Sequence, residues 1–160
     1  MPEIHTFLTF EDRALEAAEF YTALIPGSSI ERVTHYPDLG AESPRPAGSV
    51  MTVEFALDGR RFTALNAGAG FPFGPGISIA VVFDAQSEVD RVWDGLVDAG
   101  GTPMACGWIT DHFGIAWQIN PRRLTELITD PDPDRAARAM RAMMGMAKID
   151  AAAIERAADG

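Results

Sequence analysis

The chain has one cysteine, Cys106, in 160 residues. That excludes an internal disulfide framework and a multi-cysteine zinc site within one chain, and a reducing cytoplasm is the default expectation. No apolar run reaches the ~18 residues of a membrane-spanning helix. The first five residues, Met1-Pro2-Glu3-Ile4-His5, offer no basic or apolar leader region, so no secretory signal is expected. Basic residues are scarce as well: 13 Lys and Arg stand against 23 Asp and Glu, a net charge of −10. Such a chain repels phosphate backbones and anionic lipid, which argues against nucleic-acid and membrane partners. What is present, 47% apolar and 22% charged residues, is globular composition and argues against disorder.

The chain repeats itself, and a repeat constrains the fold more than local propensity does. Thr6 to Phe10 reads as a strand, followed by a polar helix start at Glu11-Asp12-Arg13-Ala14. Ala17, Phe20, Tyr21 and Leu24 then recur at helical spacing, and Pro26-Gly27 ends the helix. Shifted by 73 residues, Ile77 to Phe83 reads as a strand, and Val89, Val92, Trp93, Leu96 and Val97 make a helical stripe closed by Gly100-Gly101. Phe10, Phe20, Leu24 and Gly27 thus match Phe83, Trp93, Val97 and Gly100 at one constant offset.

Strand-like sequence follows each helix. In the first half, Ser29 to Tyr36 and Ser49 to Leu57 read as strands, Asp58-Gly59 as a hairpin turn, and Arg61 to Asn66 as the returning strand. In the second half, Thr102 to Thr110 reads as extended, Asp111-His112-Phe113-Gly114 as a turn, and Ile115 to Ile119 as the return. These antiparallel meanders disfavour a doubly wound parallel sheet. The expected fold is α+β: two βαββ-type modules, about 1–66 and 77–120, forming a cupped mixed sheet. A linker over 67–76 joins them within one domain, and a helical tail follows over 121–160. In that tail, Asp130-Pro131-Asp132-Pro133-Asp134 starts a helix whose Ala136, Met140, Met143 and Met144 form one stripe. The stripe reads as a packing face, with a Met-rich ligand surface as the alternative.

Several stretches carry a resemblance. They are Phe7-Leu8-Thr9-Phe10 with Ala17-Ala18-Glu19-Phe20-Tyr21, Gly48-Ser49-Val50-Met51-Thr52-Val53-Glu54-Phe55, and Phe62-Thr63-Ala64-Leu65-Asn66. The most specific is Cys106-Gly107-Trp108 followed by Asp111-His112-Phe113-Gly114-Ile115-Ala116-Trp117-Gln118. Together they resemble the vicinal oxygen chelate, or glyoxalase and bleomycin-resistance, superfamily. Within it they resemble the PhnB-like branch, often labelled demethylubiquinone methyltransferase-like. The tail, from Asp130-Pro131-Asp132 to Lys148-Ile149-Asp150, looks like this branch too.

The resemblance implies a homodimer and a ligand site in the cup of the sheets. In the superfamily's enzymes that cup holds a divalent metal on His, Glu or Gln of the first and last strands of each module. Carried over, those positions fall on His5 and Ser78 and on Thr63 and Gln118. Only His5 and Gln118 are metal ligands by type, whereas a catalytic zinc wants three protein ligands. No cofactor is therefore certain, and a divalent ion (Zn, Ni, Mn or Fe) stands as an alternative beside His5 as a strand histidine and Gln118 as a satisfied amide. Asn66, on the returning strand, reaches the cup if a bulge intervenes. Glu54 alternates with Val53 and Phe55 and reads as solvent-facing, with a general base as the alternative. His35 reads as solvated and His112 as a turn residue. Cys106 reads as a small buried residue, with no sign of a base beside it. Gly68-Ala69-Gly70 starts like a dinucleotide fingerprint, but Pro72 and Pro75 intervene and a strand follows. No glycine-rich parallel βαβ unit exists to hold an adenosyl cofactor.

Aromatic residues near Gly and Pro suggest a small-molecule site lined by Phe71, Phe73 and Trp108, with Gln118 and Asn66 as its polar groups. Three functions compete: a metal-free binder of a small-molecule ligand, a metal-dependent lyase, isomerase or oxygenase acting on a small oxygen-rich substrate, and a scaffold with a filled cup.

Overall fold

The computed structural model describes residues 2, 4–43 and 45–160. The chain divides into two compact units, Met1–Pro72 and Phe73–Gly160. In the first unit, β1 (Thr6–Phe10) leads into α1 (Ala14–Leu24), followed by β2 (Ser29–His35), β3 (Val50–Leu57) and β4 (Arg60–Asn66). The sheet order is β1-β4-β3-β2, with β1 parallel to β4 and the other pairs antiparallel.

Alternation along these strands makes two faces. Leu8, Phe10, Val53, Phe55, Phe62 and Ala64 are buried on the face covered by α1. The helix meets them with Ala14, Ala17, Ala18, Tyr21 and Leu24. Three alanines with no reach let the helix lie close, and the Tyr21 ring sits 6.3 Å from Phe55, which stacks on Phe62 at 5.2 Å. Phe20, expected in this stripe, is only half-buried, because Ala17 and Ala18 take the central line. The β3–β4 turn is the one its sequence demands: Asp58 and Gly59 have φ of 45° and 78°, the left-handed pair of a two-residue hairpin.

The second unit repeats the plan. β5 (Ser78–Phe83) and α2 (Gln86–Asp98) are followed by β6 (Thr102–Pro103), β7 (Trp108–Thr110) and β8 (Ala116–Pro121), in sheet order β5-β8-β7-β6. β5 is parallel to β8, as β1 is to β4. Val89, Val92, Trp93 and Leu96 form the buried stripe of α2. The stretch from Thr102 to Thr110 is not one extended strand. It folds back at residues 104–107, where Cys106 (φ 61°) and Gly107 (φ 80°) take left-handed backbone. A side chain at Gly107 would collide with Asn120 Oδ1 and meet Ile149 Cγ1 at 3.0 Å, so only glycine fits there.

The tail forms α3 (Arg122–Ile128), α4 (Pro133–Met144) and α5 (Ala151–Asp159). Asp132 and Asp150 cap α4 and α5 with their carboxylates. Leu124, Leu127, Ala139, Ile149, Ile154 and Ala158 make a core of their own, with Met143 and Met146 packed against it. The tail is fastened to its unit by specific bonds. Cys106 N–H donates to Met146 O and Gly107 N–H to Ala147 O, both at 2.8 Å. Gln86 donates from Nε2 to Ile149 O (2.8 Å) and accepts at Oε1 from Ala151 N–H (3.0 Å). Among the described residues, no helix is long and apolar enough to cross a membrane.

Candidate functional site

The faces opposite the helices carry the polar and exposed residues. In the first unit, β1 and β4 set Phe7 beside Thr63, and β3 sets Glu54 across from Thr63. A bulge in β2 decides what joins them. Ile30 pairs with Phe55 but Arg32 pairs with Glu54, so Glu31 is an extra residue. The bulge turns Arg32 to the face opposite Ile30. Arg32 then ion-pairs and hydrogen-bonds with Glu54, and Arg61 reaches Glu31 at 3.4 Å.

His5, Arg32, Glu54, Arg61, Phe62 and Thr63 line a cavity of about 180 Å³. Thr63 is buried, with 7% of its surface exposed. Among the described residues, no group hydrogen-bonds its hydroxyl. Phe7, beside it in register, is 53% exposed. The Arg32 guanidinium is held above its ordinary range, chiefly by its hydrogen bond to Glu54, and stays charged.

On the corresponding face of the second unit, Gln118 Nε2 donates to Ser78 Oγ at 2.8 Å. Trp108, half-buried, stands across from Gln118 in the β7–β8 register. Trp108, Gln118 and Ser78 therefore come together, as do His5 and Thr63 in the first unit.

Other expected residues lie elsewhere. Asn66 is on the helix side of its sheet, 4% exposed. Its Oδ1 accepts from Ala14 N–H (2.8 Å), and its Nδ2 donates to Val50 O (3.1 Å). No bulge turns it over, and both ends of its amide are used in fastening α1 to the sheet. Phe71 is 58% exposed near the end of the first unit. Phe73 is half-buried and packs 3.8 Å from the position a side chain at Gly114 would take. Glu54, read as solvent-facing, lines the cavity. Cys106 is half-buried rather than core. His112 lies in the turn, its ring centroid 3.9 Å from that of Phe113. That turn is built by Asp111, whose carboxylate accepts from Phe113 N–H, Ile115 N–H and Trp117 Nε1–H at 2.8–2.9 Å. Arg32 and Arg61 were missed by sequence reasoning. Only the bulge brings Arg32 to this face, and a bulge leaves no reliable mark on a single sequence.

These residues do not suit the divalent ion that the fold family implies. His5 shares its cavity with Glu54, which is ion-paired to Arg32, with Arg61 and with the Thr63 hydroxyl, and Gln118 is engaged with Ser78. Among the described residues, no group of three or more His, Cys, Asp or Glu gathers to hold a metal.

Two βαβββ units, each closed by parallel pairing of its first and last strands, define the chain as a vicinal oxygen chelate protein of the glyoxalase and bleomycin-resistance superfamily. Within that superfamily it belongs to the PhnB-like branch, the family described as 3-demethylubiquinone-9 3-methyltransferase, whose model matches residues 2–120. The Bacillus cereus PhnB protein is similar at 30% identity and TM-score 0.67, covering 75% of this chain and 99% of that one. A Pseudomonas aeruginosa protein is similar at 23% identity and TM-score 0.60, covering 76% and 98%. The fosfomycin resistance protein FosX of Mesorhizobium loti shares the fold at 10% identity and TM-score 0.50, covering 72% and 87%. A search of curated proteins found no match. The family match ends at residue 120, so the expected likeness of the tail to the branch lies outside it.

Proposed function

We propose that this protein is a small-molecule-binding member of its superfamily that works without a divalent metal. The observation that carries the reading is the cavity at Thr63. It is walled by side chains from β2, β3 and β4 together with His5, and Thr63, 7% exposed, lines it. Exposed Phe7, in register with Thr63 on the neighbouring strand, supplies apolar surface of the kind such sites use. Two guanidiniums among the lining residues, one of them ion-paired to Glu54, support a metal-free site.

A homodimer is part of the proposal. β1 and β5 are edge strands, and Phe7 and Val82 on them, with neighbouring Ile4 and Ile77, are exposed apolar residues. A reducing compartment such as the cytoplasm suits a chain with one cysteine.

One experiment tests these points. Native mass spectrometry of untagged protein, prepared without chelator beside His5→Ala, should give twice 17.2 kDa with no metal mass. A parallel thermal-shift screen of small molecules should find stabilising compounds, since a ligand at ~100 times its Kd adds about 2.7 kcal/mol. One divalent ion per chain, lost in His5→Ala, would instead make this a metal-assisted enzyme. A screen in which nothing shifts the melting point would leave a scaffold with a filled cup.

A further inference from the structure

We propose that the open face of the second unit's sheet takes an uncharged ligand group with a hydrogen-bond donor beside an acceptor, a carboxamide or lactam, on a planar body that lies against Trp108. The inference concerns the second unit alone, and the reading of the Thr63 cavity in the first unit does not depend on it. Three observations converge.

The first is charge. No residue of β5, β6, β7 or β8 is charged, although 22% of the chain is. The strands of the first sheet, by contrast, carry Glu31, Arg32, Glu54, Arg60 and Arg61. A charged group laid on the second sheet would lose water and gain no counter-charge from its strands, so the face discriminates in favour of neutral ligands.

The second is a hydrogen-bonding pair. Ile109, Trp117 and Ile119 are fully buried on one face of the sheet, and alternation turns Trp108 and Gln118 to the other, where Gln118 meets Ser78. Gln118 Nε2 donates to Ser78 Oγ at 2.8 Å. That bond leaves over one acceptor, Gln118 Oε1, and one donor, the Ser78 O–H. Gln118 Oε1 has no hydrogen-bond partner among the described residues and is open to solvent. Turning the amide over keeps the pattern, since Ser78 would then donate to Oε1 and leave Nε2 as the donor beside a hydroxyl lone pair. In either orientation the pair presents a donor beside an acceptor, the complement of the C=O and N–H of an amide.

The third is the indole. Trp108 stands across from Gln118 in the β7–β8 register and is half-buried. Its Nε1–H has no hydrogen-bond partner among the described residues and is open to solvent. The ring offers a planar group a flat apolar surface, with a second donor at its edge. On the other side, the register partner of Gln118 is exposed Ala80, whose methyl is too short to cover the pair.

Three probes of one size separate the requirements: benzamide, neutral with donor and acceptor; acetophenone, neutral with an acceptor only; and benzoate, charged. Each is titrated into isotope-labelled full-length protein at neutral pH, and the indole N–H signals are followed by NMR. Trp93 and Trp117 are buried, so the Trp108 signal is the one expected to move. Benzamide should bind at least about threefold more tightly than either of the others, the scale of one net hydrogen bond. Gln118→Met, which keeps the length and removes the amide, should erase the advantage over acetophenone, and Ser78→Ala should reduce it. Dispersed Trp93 and Trp117 signals in each variant check that the unit is folded.

Benzoate binding as tightly as benzamide would overturn the inference, as would acetophenone doing so or an unchanged preference in both variants. Shifts that gather at Thr63 and leave Trp108 still would also overturn it, while supporting the cavity of the first unit. If none of the three moves the Trp108 signal, the inference falls, and the thermal-shift screen decides the Thr63 cavity separately.

Discussion

Single side chains join the layers of this protein, and Asn66 is the clearest case. Its amide ties the first turn of α1 to the sheet through Ala14 N–H and reaches back to Val50 O. Asn66→Ala should therefore cost about 1–2 kcal/mol, the range of a lost helix cap with one further buried bond. Urea denaturation checks this, with the midpoint falling and the slope unchanged. A loss near zero would mean that water replaces the amide. The residue type was legible in the sequence, and so, without a bulge, was its direction. Alternation from Phe62 through Ala64 places Asn66 under the helix, whereas the resemblance drew attention to the other face. Arg32 was hidden for the opposite reason. Alternation from Ile30 puts it in the core, and one inserted residue, Glu31, turns it out toward Thr63.

At the scale of elements, the repeat at an offset of 73 residues located both helices and their flanking strands, because buried stripes at helical spacing and turn residues recur wherever a sheet must be covered. The β6–β7 region was not legible. A β-rich run reads as one strand until the backbone reverses at Cys106, and a non-glycine residue with positive φ gives no local warning. The tail shows how elements are fastened by charge. Asp130 is held below the ordinary carboxylate range, first by the Asp132 N–H and then by Arg135, which also reaches Asp159 on α5. Because the folded pKa lies below the unfolded one, this contribution is complete above the ordinary carboxylate range. It is lost as pH falls through the depressed value. Acid should therefore loosen the α4–α5 contact, read as falling helical dichroism, and Asp130→Asn should flatten that dependence. An identical acid profile in the variant would place the sensitivity in other carboxylates.

Across the whole molecule, the aromatic residues are divided. Trp93, Trp108 and Trp117 all lie in the second unit, and Tyr21 and Tyr36 both lie in the first. Indole fluorescence thus reports on one unit and tyrosine absorbance on the other. Gln86 joins α2 of the second unit to the tail at Ile149 and Ala151. Gln86→Ala should lower the tryptophan-reported stability by about 1–3 kcal/mol, the cost of losing two partly buried bonds. The tyrosine signal should move less. Identical shifts in both signals would show the chain unfolding as one cooperative block.

The parallel pairing of first with last strand in each unit has a consequence for synthesis. Thr6 waits for Phe62, 56 residues later, and Ser78 for Ala116, 38 later. By the logarithmic dependence of loop closure on length, the difference between the two is only about 0.3 kcal/mol. Neither unit can complete its sheet until its final strand has left the ribosome. Until then the nascent β1 exposes Leu8 and Phe10 beside an unpaired edge. The order of the strands thus makes each half of the protein vulnerable to aggregation for nearly as long as it takes to make.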